Sequence, residues 1–174
     1  MIERPGDPAA LNVLALRCGL YAAEALQPLA PAPIGVKWPN DLYLSGRKLA
    51  GILIETRWRG TSPDWVAIGF GLNLAPPAVD TGIGLAPGAS RLAALERLVP
   101  ALRRAAAMTG GLTADELHRW EVRDIAVRRF VSEPAPGRAL GITPAGELLI
   151  EAADGSTTTH RSGSLTFAEP LACS

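Results

Sequence analysis

The chain has 174 residues, of which 48% are hydrophobic and 20% charged, a composition typical of a globular domain. Seventeen basic and 17 acidic residues give a formal net charge of zero, so no broad basic field indicates a nucleic acid or an anionic membrane as partner. Two distant cysteines, Cys18 and Cys173, argue against a disulfide framework. No membrane-spanning run is expected, and we expect a cytoplasmic protein.

The first predicted element is a helix. Residues 1–7 predict an irregular arm, and Asp7 with Pro8 after it is typical of a helix N-terminus. The helix should end near Leu26, because three prolines follow. Apolar residues recur at three- and four-residue spacing and predict one buried face, made of Leu11, Leu14, Ala15, Cys18, Tyr21, Ala22 and Ala25.

Strands follow this helix. Pro39 should end the first of them because proline cannot donate to a β ladder, and Ser45-Gly46 should form a turn. The nearly all-apolar strand 49–55 predicts cover on both faces. Residues 57–64 predict a polar hairpin tip, where the exposed Arg57, Trp58 and Arg59 could form a docking surface or an ordinary solvated loop. The predicted antiparallel meander consists of strands over 34–38, 42–44, 49–55 and 65–74.

The second half predicts helices and then short strands. Residues 75–90 are rich in Pro and Gly and predict a long loop, and Gly110-Gly111 should separate two helices. Thr113 and Glu116 predict a capping box for the second of these, over 114–123. Short alternating strands with turns begin at Ile125. A helix is predicted over 91–108, and its expected buried side chains are Leu92, Leu95, Leu98, Val99 and Leu102.

Two segments, KWPNDL at 37–42 and RKLAGILIE at 47–55, resemble the signature of the biotin protein ligases. The segment 65–74, which ends in G-x-G-x-N, is similar to the next strand of that family, and 141–148 with 162–165 are similar to its small C-terminal barrel. The resemblance implies an α+β fold. It consists of a partial biotin/lipoate ligase-like catalytic domain over 1–124, an antiparallel or mixed sheet with helices, and an SH3-like β-barrel over 125–174.

The resemblance also implies a reaction. Biotin and ATP would form biotinyl-5′-AMP, and a lysine of a biotin carboxyl carrier domain would then take the biotinyl group, with Mg²⁺ as an optional third ligand. One part of the family pattern is missing, because the sequence contains no Gly/Arg-rich loop of the GRGRxG type. Either a second chain supplies it, or the start of the chain is misplaced, or the protein does not ligate. We expect weak or no ligation by this chain alone, and association through uncovered sheet edges, as a homodimer or with a second chain. The alternative is a non-catalytic binding or assembly protein derived from the ligase fold.

Lys48 is the expected catalytic residue, since it matches the family lysine that bridges the biotin carboxylate and the α-phosphate; the alternative is a solvated turn lysine. We expect its amine to face a cavity beside Gly51. Asn40 and Asp41 could bind ribose, Mg²⁺ or phosphate, or shape a turn, and Trp38 could pack or wall the adenine. His118 and His160 lack metal-ligand spacing, so no zinc site is expected. The expected cofactor-binding residues are Lys37, Trp38, Asn40, Asp41, Gly51, Ile52, Gly69, Gly71 and Asn73.

Overall fold

The computed structural model describes residues 1–3, 7–78 and 81–171. Two antiparallel five-stranded sheets and three α-helices make up this part of the chain, with short 3₁₀ helices at Pro8–Val13 and Gln27–Leu29. The helices are α1 (Leu14–Leu26), α2 (Arg91–Ala107) and α3 (Ala114–Arg123). The strands are β1 (Ile2–Glu3), β2 (Ile34–Lys37), β3 (Asp41–Leu44), β4 (Arg47–Arg59), β5 (Ser62–Leu72), β6 (Phe130–Glu133), β7 (Gly137–Ile142), β8 (Leu148–Glu151), β9 (Thr157–His160) and β10 (Thr166–Phe167).

The first sheet has the order β1-β5-β4-β3-β2, which confirms the predicted meander. Its strands alternate between two faces, as the period of two of a β-strand requires. The inner face packs on α1, and α1 in turn packs on α2. The buried side chains of this inner face are Ile34, Val36, Leu42, Leu44, Ala50, Ile52, Val66 and Ile68.

The N-terminal residues differ from the prediction of an irregular arm. Ile2 and Glu3 form β1 and pair with Ala67 and Val66 of β5. The Ile68 amide donates to the Met1 carbonyl at 2.7 Å, and the Met1 ammonium donates to the Ile68 carbonyl at 3.0 Å. Two residues are too few for a periodic pattern, so the pairing depends on the free edge that β5 offers rather than on local sequence.

The β4–β5 hairpin is longer than predicted. β4 continues to Arg59 and β5 starts at Ser62, so the tip is Gly60-Thr61 and not 57–64. Gly60 takes φ of 63°, which glycine adopts without steric cost. The prediction that 49–55 is covered on both faces is wrong at Leu53, whose side chain is 59% exposed on the outer face.

The first helical segment starts at Pro8 and α1 ends at Leu26 as predicted, but Pro8–Val13 is a 3₁₀ helix and α1 itself begins at Leu14. Asp7 caps the 3₁₀ turn that leads into it, because its Oδ1 accepts a hydrogen bond from the Ala9 amide at 2.9 Å. By length and composition alone the segment Pro8–Leu29 could cross a membrane, with a mean hydropathy of 1.3, contrary to the expectation of no such run. However, 61% of that window is buried inside the fold, as in the core helix of a soluble protein.

The buried face of α2 was predicted correctly at Leu98 and Leu102 but incorrectly at three other positions. Leu92, Leu95 and Val99 are 65%, 46% and 36% exposed, although all three were expected to point inward. Three alanines lie on the buried side instead, and small side chains allow α2 to approach α1 closely. Alanines and larger apolar residues lie on neighbouring faces of this helix, so the spacing of apolar residues alone did not distinguish the buried face. The buried residues are Ala94, Leu98, Ala101, Leu102 and Ala105.

Helix α3 carries the predicted capping box: Thr113 Oγ1 accepts from the Glu116 amide, and Glu116 Oε2 accepts from the Thr113 amide. The same Glu116 carboxylate pairs with the buried Arg17 of α1 at 2.7 Å. Breaking a buried pair of this kind by removing one partner costs about 3–5 kcal/mol. This pair therefore fixes α3 against α1.

The second sheet has the order β10-β6-β7-β8-β9. The Ile125 amide donates to the Val36 carbonyl at 3.1 Å, and the Trp38 indole donates to the Gly146 carbonyl at 3.0 Å. The two sheets therefore meet beside β2. Closure of the second sheet into an SH3-like barrel, and a domain boundary at 125, stay predictions.

Candidate functional site

The outer face of the first sheet carries the candidate site. Gly51 of β4 pairs with Gly71 of β5, and Leu53 pairs with Gly69, so three glycines lie side by side on this face. A methyl group placed on Gly71 would lie 3.8 Å from the Gly51 carbonyl oxygen, an ordinary van der Waals distance. Glycine in a strand interior often marks a place where a ligand approaches the backbone. These glycines form a flat floor open to a ligand.

Lys48 lies at one side of this floor. Its Nζ is 2.6 Å from Asp41 Oδ1, and the two side chains are 47% and 15% exposed. A Cβ placed on Gly51 would lie 3.4 Å from both Lys48 Nζ and Asp41 Oδ1, so the ion pair extends over that glycine. The Lys48 side chain is thus partly solvated, as the alternative expected, but its ammonium is paired with Asp41 rather than free. The ammonium is held on the outer face by a carboxylate.

The main chain of Lys48 is also fixed. Its amide donates to the Thr81 carbonyl at 3.0 Å, and its carbonyl accepts from the Ile83 amide at 3.0 Å. Asn73 Nδ2 lies 3.4 Å from the same carbonyl, and the Asn73 main chain binds Leu49 and Leu85. The segment 75–90 is the predicted loop over its described residues, and it attaches directly to the candidate catalytic lysine. Asn73 therefore acts on the Lys48 backbone, a role that the spacing alone did not reveal.

Lys37 is the second cation of the site. It is paired across β2 and β3 with Asp41, and its Nζ lies 5.4 Å from the centre of the Tyr43 ring. Burial lowers the pKa of Lys37, the Asp41 carboxylate opposes this, and the nearby Lys48 ammonium lowers the pKa further. The Asp41 carboxylate therefore pairs with the Lys48 ammonium and acts on Lys37 through its charge alone. The remaining positive charge suits an anionic group placed over the glycines.

Three predicted ligand contacts instead hold the fold together. Trp38 is 1% exposed and donates its indole N–H to the Gly146 carbonyl, so its side chain packs in the core, the packing alternative given above. Ile52 is 2% exposed on the inner face. Asn40 Nδ2 donates to the Ile52 carbonyl at 2.7 Å, and the Ile52 amide donates to the Asn40 carbonyl at 2.9 Å. The Asn40 side chain and backbone thus hold the turn after Pro39 against β4. This is the turn-shaping role given above as the alternative to ligand binding.

The Lys48 side chain, expected to face a cavity beside Gly51, lies over that glycine and is 47% exposed. A cavity of about 410 Å³ lies between the end of β3 and the loop that follows β5, and its lining includes Pro31, Leu44, Ile83 and Leu85. Within 1–3, 7–78 and 81–171, no group of three His, Cys, Asp or Glu side chains could hold a metal ion. At the hairpin, Trp58 is 51% exposed and Arg59 lies 3.4 Å from Asp64.

One sequence signal for the site was missed. The chain has only two lysines among its 17 basic residues, and they are Lys37 and Lys48. Elsewhere every basic position is arginine. An ammonium is a compact point charge whose pKa shifts readily on burial, whereas a guanidinium stays charged. Residue choice alone therefore singled out both cations, without reference to any motif.

The sequence comparisons agree with this geometry. A model of the biotin/lipoate A/B protein ligase family matches residues 2–73. The chain is 36% identical over 162 residues to the bifunctional ligase/repressor BirA of Escherichia coli, covering 83% of this chain and 50% of that protein. It is 45% identical over 71 residues to the biotin–[acetyl-CoA-carboxylase] ligase of Paracoccus denitrificans, covering 41% of this chain and 29% of that protein. The chain thus spans about half the length of BirA.

The comparison of structures gives the same fold. Biotin protein ligase from Aquifex aeolicus superposes with a TM-score of 0.78 at 21% identity, covering 97% of this chain and 80% of that one. The same enzyme in complex with biotin and ATP gives a TM-score of 0.69 at 23% identity, covering 94% and 73%. The mixture of helices and antiparallel sheets is therefore that of these ligases. By its sequence and its fold, the chain is a member of the biotin protein ligase family.

Proposed function

We propose that the outer face of the first sheet binds the adenylate side of biotinyl-5′-AMP, with Lys48 as the catalytic cation. The observation that carries this proposal is the Lys48–Asp41 ion pair lying over Gly51 on an open sheet face. Relatives named as biotin ligases, and a fold neighbour solved with biotin and ATP, support the choice of ligand. Lys37, Asp41, Gly51, Gly69 and Gly71 would complete this half of the site.

The chemistry requires fixed positive charge. In the first step the biotin carboxylate attacks the α-phosphorus of ATP and pyrophosphate leaves; in the second a carrier amine attacks the acyl carbon and AMP leaves. Negative charge develops on phosphate oxygens in both steps, and a preorganised cation stabilises it without further rearrangement. Asp41 holds the Lys48 ammonium at 2.6 Å before any ligand arrives, which provides that preorganisation.

Magnesium would enter with the phosphates rather than bind to a protein cage. Asp41 is the one carboxylate that the described residues place at Lys48, and its Oδ1 is engaged by that ammonium. Mg²⁺ usually keeps several waters and binds through one or two carboxylates together with substrate phosphates. Asp41 with phosphate oxygens and water would fit that pattern, and the ion would offset charge on the leaving pyrophosphate.

We propose that these 174 residues alone ligate weakly or not at all. They contain no Gly/Arg-rich run of the GRGRxG type, and exclusion of water from a reactive adenylate needs a covered site. A further segment or a second chain would supply the biotin side. The acceptor would be a biotin carboxyl carrier domain, and the reaction would take place in the cytoplasm.

Binding of a non-hydrolysable biotinyl-AMP mimic, measured by calorimetry, tests the proposal. We expect wild-type protein to bind and Lys48→Ala to bind about 10- to 100-fold more weakly, the loss typical of one hydrogen bond to a charged group. Arg47→Ala is the matched control, because Arg47 is the exposed neighbouring cation. Equal affinity of wild type and Lys48→Ala, or equal loss in both variants, would contradict the proposed role of Lys48.

Ligation is tested separately. Purified chain is mixed with biotin, ATP and an apo carrier domain, and the carrier is blotted for biotin. We expect little or no labelling with the chain alone, and labelling when a polypeptide carrying the Gly/Arg-rich loop is added. Strong labelling by the chain alone would show that the proposed incompleteness is wrong while leaving the site intact.

The edge of β5 favours a second candidate, a non-catalytic assembly protein. β1 pairs with only two residues of the eleven-residue β5, so among the described residues most of that edge has no strand beside it. Ile2 and Leu53 are 71% and 59% exposed on the adjoining face. Free edges favour pairing with another strand. Light scattering at micromolar concentration should then show a dimer or larger species, whereas a monomer that binds the mimic would support the ligase half-site.

A further inference from the structure

The second sheet places an aromatic ring beside the site. Phe167 of β10 lies far along the chain from Lys37, yet the Lys37 ammonium is 5.9 Å from the centre of the Phe167 ring. The Tyr43 ring lies 5.4 Å from the same ammonium. Both distances are within the roughly 6 Å over which a cation is attracted to an aromatic face. The Lys37 ammonium is therefore contacted by one aromatic ring from each of the two sheets.

We propose that Phe167 is a positioning residue for the reaction: with Tyr43 it seats the Lys37 ammonium beside Asp41, so that the second sheet sets the position of the second cation. This inference rests on the proposed function, in which that cation meets a phosphate. It assigns a defined task to the C-terminal module.

The Lys37 ammonium needs contacts that fix its position and preserve its charge. A lysine has a long flexible side chain, and fixing it costs up to about 2 kcal/mol of rotamer entropy. Burial also lowers the pKa of Lys37, so its charge is less secure than that of an exposed lysine. Aromatic faces attract the ammonium but not the neutral amine, so they oppose this loss of charge. Burial and the Asp41 carboxylate raise the pKa of the Tyr43 phenol, which keeps that ring neutral.

The ring of Phe167 is itself anchored by the second sheet. Phe167 pairs with Val131 of β6, and the next residue, Ala168, donates its amide to the Phe130 carbonyl at 3.0 Å. The Arg129 guanidinium lies 6.0 Å from the centre of the same ring. Asp41 and Lys48 are the charged groups that act on Lys37, and Arg128, Arg129 and Glu169 line the hollow beside the Phe167 ring. A ring held in this way can direct Lys37, because its own position does not depend on the lysine.

Nuclear magnetic resonance of protein labelled in lysine tests the seat directly. The chain has two lysines, so two side-chain signals are expected and each can be assigned with one Lys→Arg variant. In wild-type protein we expect the Lys37 ε-protons to be shifted upfield by the rings and to show contacts with Phe167 ring protons. Unshifted Lys37 signals without such contacts would overturn the proposal before any variant is made.

Substitutions at Phe167 then distinguish the effect of its aromatic face from that of its apolar volume. Phe167→Leu keeps an apolar side chain but removes the aromatic face, so the Lys37 titration midpoint should fall by about half a pH unit, the shift that a usual cation–π contact corresponds to. Phe167→Tyr should retain the wild-type midpoint, and Lys48 should not change. Phe130→Leu, at a neighbouring ring that is 67% exposed, is the control. An unchanged Lys37 midpoint in Phe167→Leu would overturn the proposal.

Ligand binding distinguishes the two levels of inference. We expect Phe167→Leu to bind the non-hydrolysable biotinyl-AMP mimic about two- to fivefold more weakly than wild type, with Phe167→Tyr restoring affinity. If Lys37 shifts but affinity stays the same, the positioning role is wrong and the proposed function stands. If wild-type protein does not bind the mimic, the proposed function fails and the positioning role fails with it, whatever the lysine signals show.

Discussion

The two faces of the first sheet differ although the same strands form both. The inner face buries Ile52 to 2% exposure, whereas its neighbour Leu53 on the outer face is 59% exposed. The inner residues are branched apolar side chains against α1, and the outer face has glycines where side chains would otherwise stand. One face is thus used to hold the fold and the other is left accessible.

This difference divides the sequence signature into two groups of residues. Trp38 and Asn40 bind backbone carbonyls and stabilise the fold. Lys37, Asp41 and Lys48 lie together on the outer face, where their charged groups interact electrostatically. A motif is therefore not a list of ligand contacts. Substitutions in the first group should change stability, and substitutions in the second should change binding.

The largest change in the free energy of unfolding is expected from a comparison of two single alanine variants at adjacent positions, one on each face. Ile52→Ala removes a fully packed side chain and should lower the free energy of unfolding by about 2–5 kcal/mol. Leu53→Ala, at an exposed position, should change it by no more than about 1 kcal/mol. Urea denaturation followed by circular dichroism measures both. Similar losses at the two positions would mean that the outer face is covered in solution.

A smaller loss is expected from Asn40→Ala. The variant leaves the Ile52 carbonyl without the donor that now lies 2.7 Å away, which should lower the free energy of unfolding by about 1–3 kcal/mol. Affinity for the biotinyl-AMP mimic, measured well below the melting temperature, should stay within about twofold of wild type. A loss of affinity with unchanged stability would instead place Asn40 among the ligand contacts.

The smallest change in stability is expected from Gly51→Ala. The added methyl group would meet Lys48 Nζ and Asp41 Oδ1 at 3.4 Å, the edge of ordinary contact, and alanine favours ordered backbone by about 0.5–1 kcal/mol over glycine. The two contributions should leave the free energy of unfolding within about 1 kcal/mol of wild type. Binding of the mimic should weaken about tenfold, since the methyl group occupies the floor. Unchanged affinity would show that the ligand does not approach β4.

Much of the fold could be predicted because its signals are local. The Thr113–Glu116 capping box, the Asp7 cap and the strands on either side of Pro39 each follow from neighbouring residues. The grouping of Asp41, Lys48 and Gly51 was also accessible, because a short hairpin brings them together. These parts depend on contacts between residues close in sequence.

The remaining features depend on distant partners. Trp38 is a core residue because Gly146, more than 100 positions later, accepts its indole N–H. The inward face of α2 was decided by three alanines that fit against α1, not by the larger Leu92 and Leu95. The contact of Phe167 with Lys37 needs both sheets in place. None of these partners leaves a trace in local periodicity.

The scarcity of lysine has a practical consequence for acyl chemistry. An activated mixed anhydride reacts with primary amines, and Lys37 and Lys48 carry the two side-chain amines of these 174 residues. Peptide mapping after exposure to such a reagent should therefore find few modified side chains, and both lysines lie beside the glycine floor. Any self-acylation would report where the activated acid was held when it reacted.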